Sequence, residues 1–150
     1  MSNLRQQLYI LCVEYLKKQE TEIKRAIAEA QEAANEETKS SAGDKFETGR
    51  EVLQQDIELN LIRLNQVDKM KDALEKILPA QISSTALPGS VVRTNHGSYY
   101  LSIGAGQLKL EGVTYYAVSA ASPIGSQLAG KKTGEAFEMN GKRYVIESVL

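Results

Sequence analysis

Apolar residues near the start of the chain recur at Leu4, Leu8, Leu11, Tyr15 or Leu16, Ile23, Ile27, Ala30 and Ala34, mostly in steps of three and four. That spacing is one buried helix face. After a break the rhythm returns as Leu53, Ile57, Leu61, Leu64, Val67, Met70, Leu74 and Ile77, before Pro79 stops it. The second run advances by about 3.4 residues per step, close to a coiled-coil seam. If the chain folds back near Gly43, Leu8 faces Ile77, Leu11 faces Leu74, Leu16 faces Met70 and Ile27 faces Ile57, so the two stripes bury each other. Residues 1–78 therefore read as an antiparallel two-helix coiled coil. At ~1.5 Å per residue, arms of about 38 residues are roughly 55 Å long. The tip would then lie far from any globular body.

The second half changes period. Residues 79–89, with Ser83, Ser84, Thr85, Pro88 and Gly89, read as a turn-rich linker. Val91-Val92-Arg93-Thr94 and Ser98-Tyr99-Tyr100-Leu101-Ser102-Ile103 are β-type runs around Asn95-His96-Gly97, a hairpin turn. Leu108-Lys109-Leu110 and Thr114-Tyr115-Tyr116-Ala117-Val118 are two further strands or one strand pair about Gly112. Pro123 starts a short helix behind Ser122 as N-cap, ended by Gly130. Residues 135–139 and 142–149 form a last hairpin across Asn140-Gly141. The expected fold class is α+β: the coiled coil, then a small antiparallel sheet with one short helix over residues 90–150.

Composition narrows the classes. The hairpin leaves about 70 of 150 residues for a core, so two unequal domains are expected. No run of 18 or more apolar residues and no secretory pattern occurs, so no membrane is implicated and a cytoplasmic protein is expected. The single cysteine, Cys12, excludes an internal disulfide and a cysteine-rich zinc site, and its place on an apolar helix face makes it a buried thiol. Net charge is only −1, but its distribution is uneven. From Glu29 to Glu58 nine acids face three bases, a net of −6, whereas residues 1–28 and 59–78 hold nine bases against six acids, a net of +3. Such imbalance is ordinary for solvated helix faces. Functionally, the acidic end repels a nucleic-acid backbone unless a divalent cation lies between them, while the basic part can approach phosphates.

Asp44 and Glu47 stand at the acidic end, in Ser40-Ser41-Ala42-Gly43-Asp44-Lys45-Phe46-Glu47. Two readings fit them. Asp-x-x-Glu after a glycine is close to a capping box, in which Asp44 accepts from the amide of Glu47 and Glu47 reaches back. A pair of carboxylates also attracts Mg²⁺, strongly only if other ligands complete the octahedron.

Other motifs carry less. Gly125-Ser126-Gln127-Leu128-Ala129-Gly130-Lys131-Lys132 imitates a phosphate-binding loop, but Lys132 stands where Ser or Thr is required and the segment reads as a helix ending at Gly130. Gly104-Ala105-Gly106 has no helix after it and is no dinucleotide fingerprint. His96 lies in a turn and reads as solvated, and one Cys with one His in another domain makes no nucleophile–base pair. Tyr99, Tyr100, Tyr115, Tyr116 and Tyr144 could stack on bases, but their alternation in β runs favours strand packing.

The stretch Ser122-Pro123-Ile124-Gly125 through Gly130-Lys131-Lys132-Thr133-Gly134-Glu135, followed by Tyr144-Val145-Ile146-Glu147, resembles the C-terminal signature of the bacterial Gre transcript cleavage factors (GreA/GreB). The resemblance covers nearly the whole chain and implies an N-terminal coiled coil with an FKBP-like C-terminal domain. It further implies a cytoplasmic, monomeric, DNA-associated elongation factor that is not itself an enzyme. In that family the coiled coil enters the secondary channel of RNA polymerase, and acidic tip residues help hold the second catalytic Mg²⁺, so that the polymerase cuts backtracked nascent RNA. The family tip reads Gly-Asp-Leu-Ser-Glu-Asn; here Gly43-Asp44-Lys45-Phe46-Glu47-Thr48 keeps the glycine and both acids at the same spacing. Asp44 and Glu47 are thus the implied catalytic and Mg²⁺-sharing residues, with no metal bound outside the polymerase complex. Ser122, Pro123 and Ile124 are implied contacts with the polymerase rim; by themselves they also read as a helix start. Lys45, Phe46, Thr48 and Glu51 depart from the family pattern, and the opening 1–5 does not match it. Related proteins of this architecture occupy the same channel without promoting cleavage, so a channel-binding regulator is the alternative, and a peptidyl-prolyl isomerase or chaperone-like module a third reading.

Overall fold

Two long helices open the chain, α1 (Ser2–Ser40) and α2 (Lys45–Glu75). The computed structural model describes residues 2–40, 45–77 and 83–150. Gly43, Asp44 and Pro79 lie outside those residues. The helices divide between two compact units, one formed by residues 16–69 and the other by residues 1–15 and 70–150. Within residues 16–69, Leu16, Ile23, Ile57 and Val67 are buried, as the apolar stripes require.

The seam of α2 differs from the apolar count in one turn. Leu61 is 49% exposed, while Asn60 is half-buried. From 53 onward the buried or half-buried positions of α2 are 53, 57, 60, 64, 67, 70, 71 and 74, and the path 53-57-60-64-67-71-74 through them alternates steps of four and three, the 3.5-residue period that keeps a seam facing its partner. Following Leu61 instead would string together three steps of three and rotate the stripe away. Geometry therefore overrides hydrophobicity, and Asn60 takes a seam position, its side-chain amide donating to the Asp56 carbonyl at 3.0 Å. The helix ends at Glu75, earlier than the spacing suggests, and the Ile77 amide closes a tighter turn on the Leu74 carbonyl at 3.1 Å. A proline at 79 conflicts with a helical carbonyl four residues before it, which is residue 75.

The second unit holds a six-stranded sheet: β1 (Val91–Thr94), β2 (Gly97–Ser102), β3 (Gly106–Leu110), β4 (Val113–Ser119), β5 (Ala136–Met139) and β6 (Lys142–Val149), in the order β3-β4-β2-β1-β6-β5. One short helix, α3 (Pro123–Leu128), lies between β4 and β5 in the chain. All neighbours are antiparallel except β2 and β4, which run parallel with Tyr99 beside Tyr116 and Leu101 beside Val118. The hairpin about Glu111-Gly112 delivers β4 to the inner side of β3, so β4 enters the sheet between β3 and β2. The two-residue turns Glu111-Gly112 (φ 50° and 78°) and Asn140-Gly141 (φ 54° and 76°) have both residues at positive φ. That is the turn whose twist matches a β-hairpin.

Both sheet faces are covered. Val91 and Val92, adjacent and pointing oppositely, are each fully buried. On one face Val92, Tyr144 and Ile146 pack with Ala86, Leu128 and Phe137. On the other, Val91 pairs with Tyr100, and Ser102 two residues on meets Cys12 of α1 at 3.7 Å. Residues 83–90 are tied in as well: the Ala86 amide donates to the Lys131 carbonyl and its own carbonyl accepts from Gly130, both at 2.8 Å.

Replacing Asn60 by Leu removes a polar group from the seam and should raise the urea midpoint by the equivalent of about 1 kcal/mol. A fall in the midpoint would instead show that the Asn60 amide is required.

Candidate functional site

Four residues, 41–44, separate the end of α1 from the start of α2. The expected break is where the helices end. Asp44 lies among those four and so outside the described residues. Glu47 is the third residue of α2. No group of three metal-ligating side chains occurs among the described residues.

Behind this end, within residues 16–69, a polar groove of about 410 Å³ is lined by Gln31, Ala34, Asn35, Arg50, Gln54 and Ile57. Sequence patterning gave no sign of it, because its polar lining reads as ordinary solvated helix surface. Residues of both helices line it beside the buried Ile57.

The proposed docking triplet opens α3. Ser122 is its N-cap: the hydroxyl accepts from the Gly125 amide at 3.0 Å and donates to the Ser119 carbonyl at 2.7 Å. Pro123 occupies the first turn and is exposed, whereas Ile124 is half-buried against the core of Val92, Leu128 and Ile146. Of the three, only Pro123 offers most of its side chain to a partner. Gly125 explains the close seat of α3 on β4, since a Cβ built on it would stand 1.8 Å from the Ser119 carbonyl oxygen. Gly130-Lys131 follows this helix rather than opening one, the reverse of a phosphate-binding loop.

His96 is more engaged than a solvated turn residue. Its Nε2 lies 3.0 Å from the Arg143 carbonyl and its ring meets Tyr144 edge-on at 4.9 Å. Asn95 clamps the same strand, donating to the Arg143 carbonyl and accepting from the Val145 amide. Reach across to β6, invisible in local sequence, makes this turn structural. Among the tyrosines, Tyr100, Tyr115 and Tyr144 are buried, while Tyr99 and Tyr116 sit side by side with ring centroids 5.7 Å apart.

Cys12 is fully buried, as its helix face implied. Burial pushes its thiol from the usual 9.0 up to about 11, against a smaller opposing effect of the Ser102 hydrogen bond. Burial also raises the Tyr100 phenol, and its hydroxyl makes no hydrogen bond with a described residue. This is a packed, polar-flecked contact between α1 and the sheet, without a nucleophile.

No protein-family model matches the chain, and no curated protein matches it. Among solved structures the chain is similar to one described as the transcription factor Gfh1, at 19% identity over 94% of this chain and 92% of that one, with a TM-score of 0.32. At that score the likeness carries no functional assignment. No helix among the described residues is long and apolar enough to cross a membrane.

Ser122→Ala should cost about 1 kcal/mol through loss of the cap. Gly125→Ala should cost more, about 2–3 kcal/mol, because backbone must move to admit the methyl group. Chemical denaturation of both variants tests the order.

Cys12 should resist iodoacetamide at pH 8 in the native protein and react once guanidinium unfolds it. The folded thiol stays neutral while the unfolded one ionises above its usual 9.0, so stability should fall as pH rises from there to about 11. Melts across that range should slope less steeply in Cys12→Ala.

Proposed function

We propose that this protein is a Gre-like transcription elongation factor that binds RNA polymerase and stimulates its cleavage of backtracked nascent RNA. The observation that carries the reading is a pair of long helices, α1 and α2, joined by a sequence that holds Asp44 and Glu47 in the Gly-Asp-x-x-Glu spacing of the cleavage factors' tip. In this reading the hairpin enters the secondary channel, and Asp44 and Glu47 complete the coordination of a Mg²⁺ ion that the polymerase site already holds in part. Two-metal displacement of a phosphodiester needs one ion to activate water and one to stabilise the leaving oxygen. The protein itself is then no enzyme: it lends carboxylates to the polymerase's own activity. A monomer acting in the cytoplasm suffices.

The C-terminal domain docks on the polymerase rim through Pro123. Ser122 and Ile124 hold that proline in place, one by capping α3 and the other by packing beneath it. The alternative, a channel-binding regulator that does not promote cleavage, draws on Lys45 and Phe46, which place a cation and an aromatic ring between the two acids.

Backtracked elongation complexes assembled with the cognate polymerase separate these readings. Wild-type protein should accelerate RNA cleavage, and Asp44→Asn and Glu47→Gln should each reduce the stimulation by about 10²-fold or more while melting normally. Binding to polymerase without any stimulation by the wild type would overturn the cleavage reading and leave the regulator.

A further inference from the structure

β5 is an edge of the sheet: β6 pairs with one side of it, and among the described residues no strand pairs with the other. The two-residue turn at Asn140-Gly141 fixes which groups face outward. Its closing pair, Met139 and Lys142, exchanges hydrogen bonds, so Phe137 and Tyr144 do the same two residues on. The N–H and C=O groups of Ala136 and Glu138 therefore point away from the sheet. Natural edges are blunted by shortness, charge, proline, a bulge or a covering segment, and β5, four residues long with Glu138 as its one charge, has shortness and that charge. β5 has no proline, and its register with β6 is regular over all four residues.

Two features go beyond a bare edge. A shallow groove of about 230 Å³ runs along it, lined by Ala136, Phe137, Glu138 and Arg143, so side chains of an added strand would find a seat. The surrounding charge is unbalanced as well. Lys131, Lys132, Lys142 and Arg143 face only Glu135 and Glu138, and the Glu135 carboxylate is already held by the Lys132 amide at 2.9 Å. Arg143 stands opposite Glu138 in the ladder, yet the two form no ion pair. Lys131 lies over the Phe137 ring, 6.0 Å from its centre, which keeps its ammonium beside the strand.

We propose that β5 is a docking edge for an extended acidic peptide of a protein partner, which adds to the sheet as a seventh strand through the outward backbone groups of Ala136 and Glu138. Main-chain hydrogen bonds supply affinity in this mode and side chains supply selectivity. Here Arg143, Lys142 and Lys131 select carboxylates. A peptide is favoured over nucleic acid because the edge offers alternating N–H and C=O groups, a pattern that another strand satisfies and a phosphate backbone does not. The site is independent of whether the helical hairpin enters polymerase, so its test needs no transcription complex.

The probe is the blocked peptide acetyl-Glu-Val-Asp-Val-Glu-Val-Asp-amide, added to ¹⁵N-labelled full-length protein. Binding should shift the amides of Ala136 and Glu138 most and slow their exchange with solvent. Glu138→Pro removes an outward N–H that β6 does not use, so it should weaken binding about tenfold while leaving the melting temperature within a few degrees. Arg143→Glu should weaken it comparably even if the proline variant folds poorly. The proposal is overturned if millimolar peptide leaves these amides unmoved, or if the lysine counterpart of the peptide binds as well. Equal competition by a single-stranded oligonucleotide would mark a general polyanion surface and also overturn it. So would concentration-dependent dimerisation through β5 in sedimentation.

Discussion

Val91 and Val92 are neighbours in β1, point to opposite faces of the sheet, and are both fully buried. A central strand whose first two residues are buried on opposite faces forces cover on two sides there, and the rest of this unit follows from that demand. One side is met by α3 with Ala86, and the other by the first turns of α1, where Leu8 and Cys12 are closed from solvent. The first helix thus serves two ends at once. Its opening residues complete a β-domain core, and its later residues carry the seam that pairs with α2.

That division bears on function. Within residues 16–69 the two helices bury only their own seam, so exposed positions there contribute little to stability. The acidic bias of residues 29–58 fits such positions, since Glu29, Glu32, Glu36, Glu51, Asp56 and Glu58 are all exposed and repulsion among carboxylates is tolerated off the seam. The C-terminal triplet shows the opposite economy. Ser122 and Ile124 are consumed by the fold, and only Pro123 is left to face outward.

Much of the architecture was legible in sequence because its causes are local. Apolar steps of three and four marked both helices, Ser122-Pro123 marked the start of α3, and Asn140-Gly141 marked a turn that needs positive φ at two positions. The candidate site was legible only as far as spacing goes: Asp44 and Glu47 stand out as candidates from a short motif, whereas the polar groove beside Arg50 and the open edge of β5 carry no sequence signature. A groove is a relation between two helices, and an edge is the absence of a neighbour. Neither is a property of a segment.

Leu61 shows the same boundary within one helix. By hydrophobicity it belongs in the seam, yet it is exposed and Asn60 is half-buried, because the facing helix fixes the period and the period chooses the residue. The sequence by itself determined the helices, their break, the hairpin turns and the α3 cap, all of which rest on contacts within a few residues. Tertiary structure alone decided that β4 lies parallel between β3 and β2, that Tyr100 is buried while Tyr116 is not, that His96 clasps β6, and that Cys12 meets Ser102. Each of these joins groups far apart along the chain, and their energies exist only once the sheet and helices have brought them together.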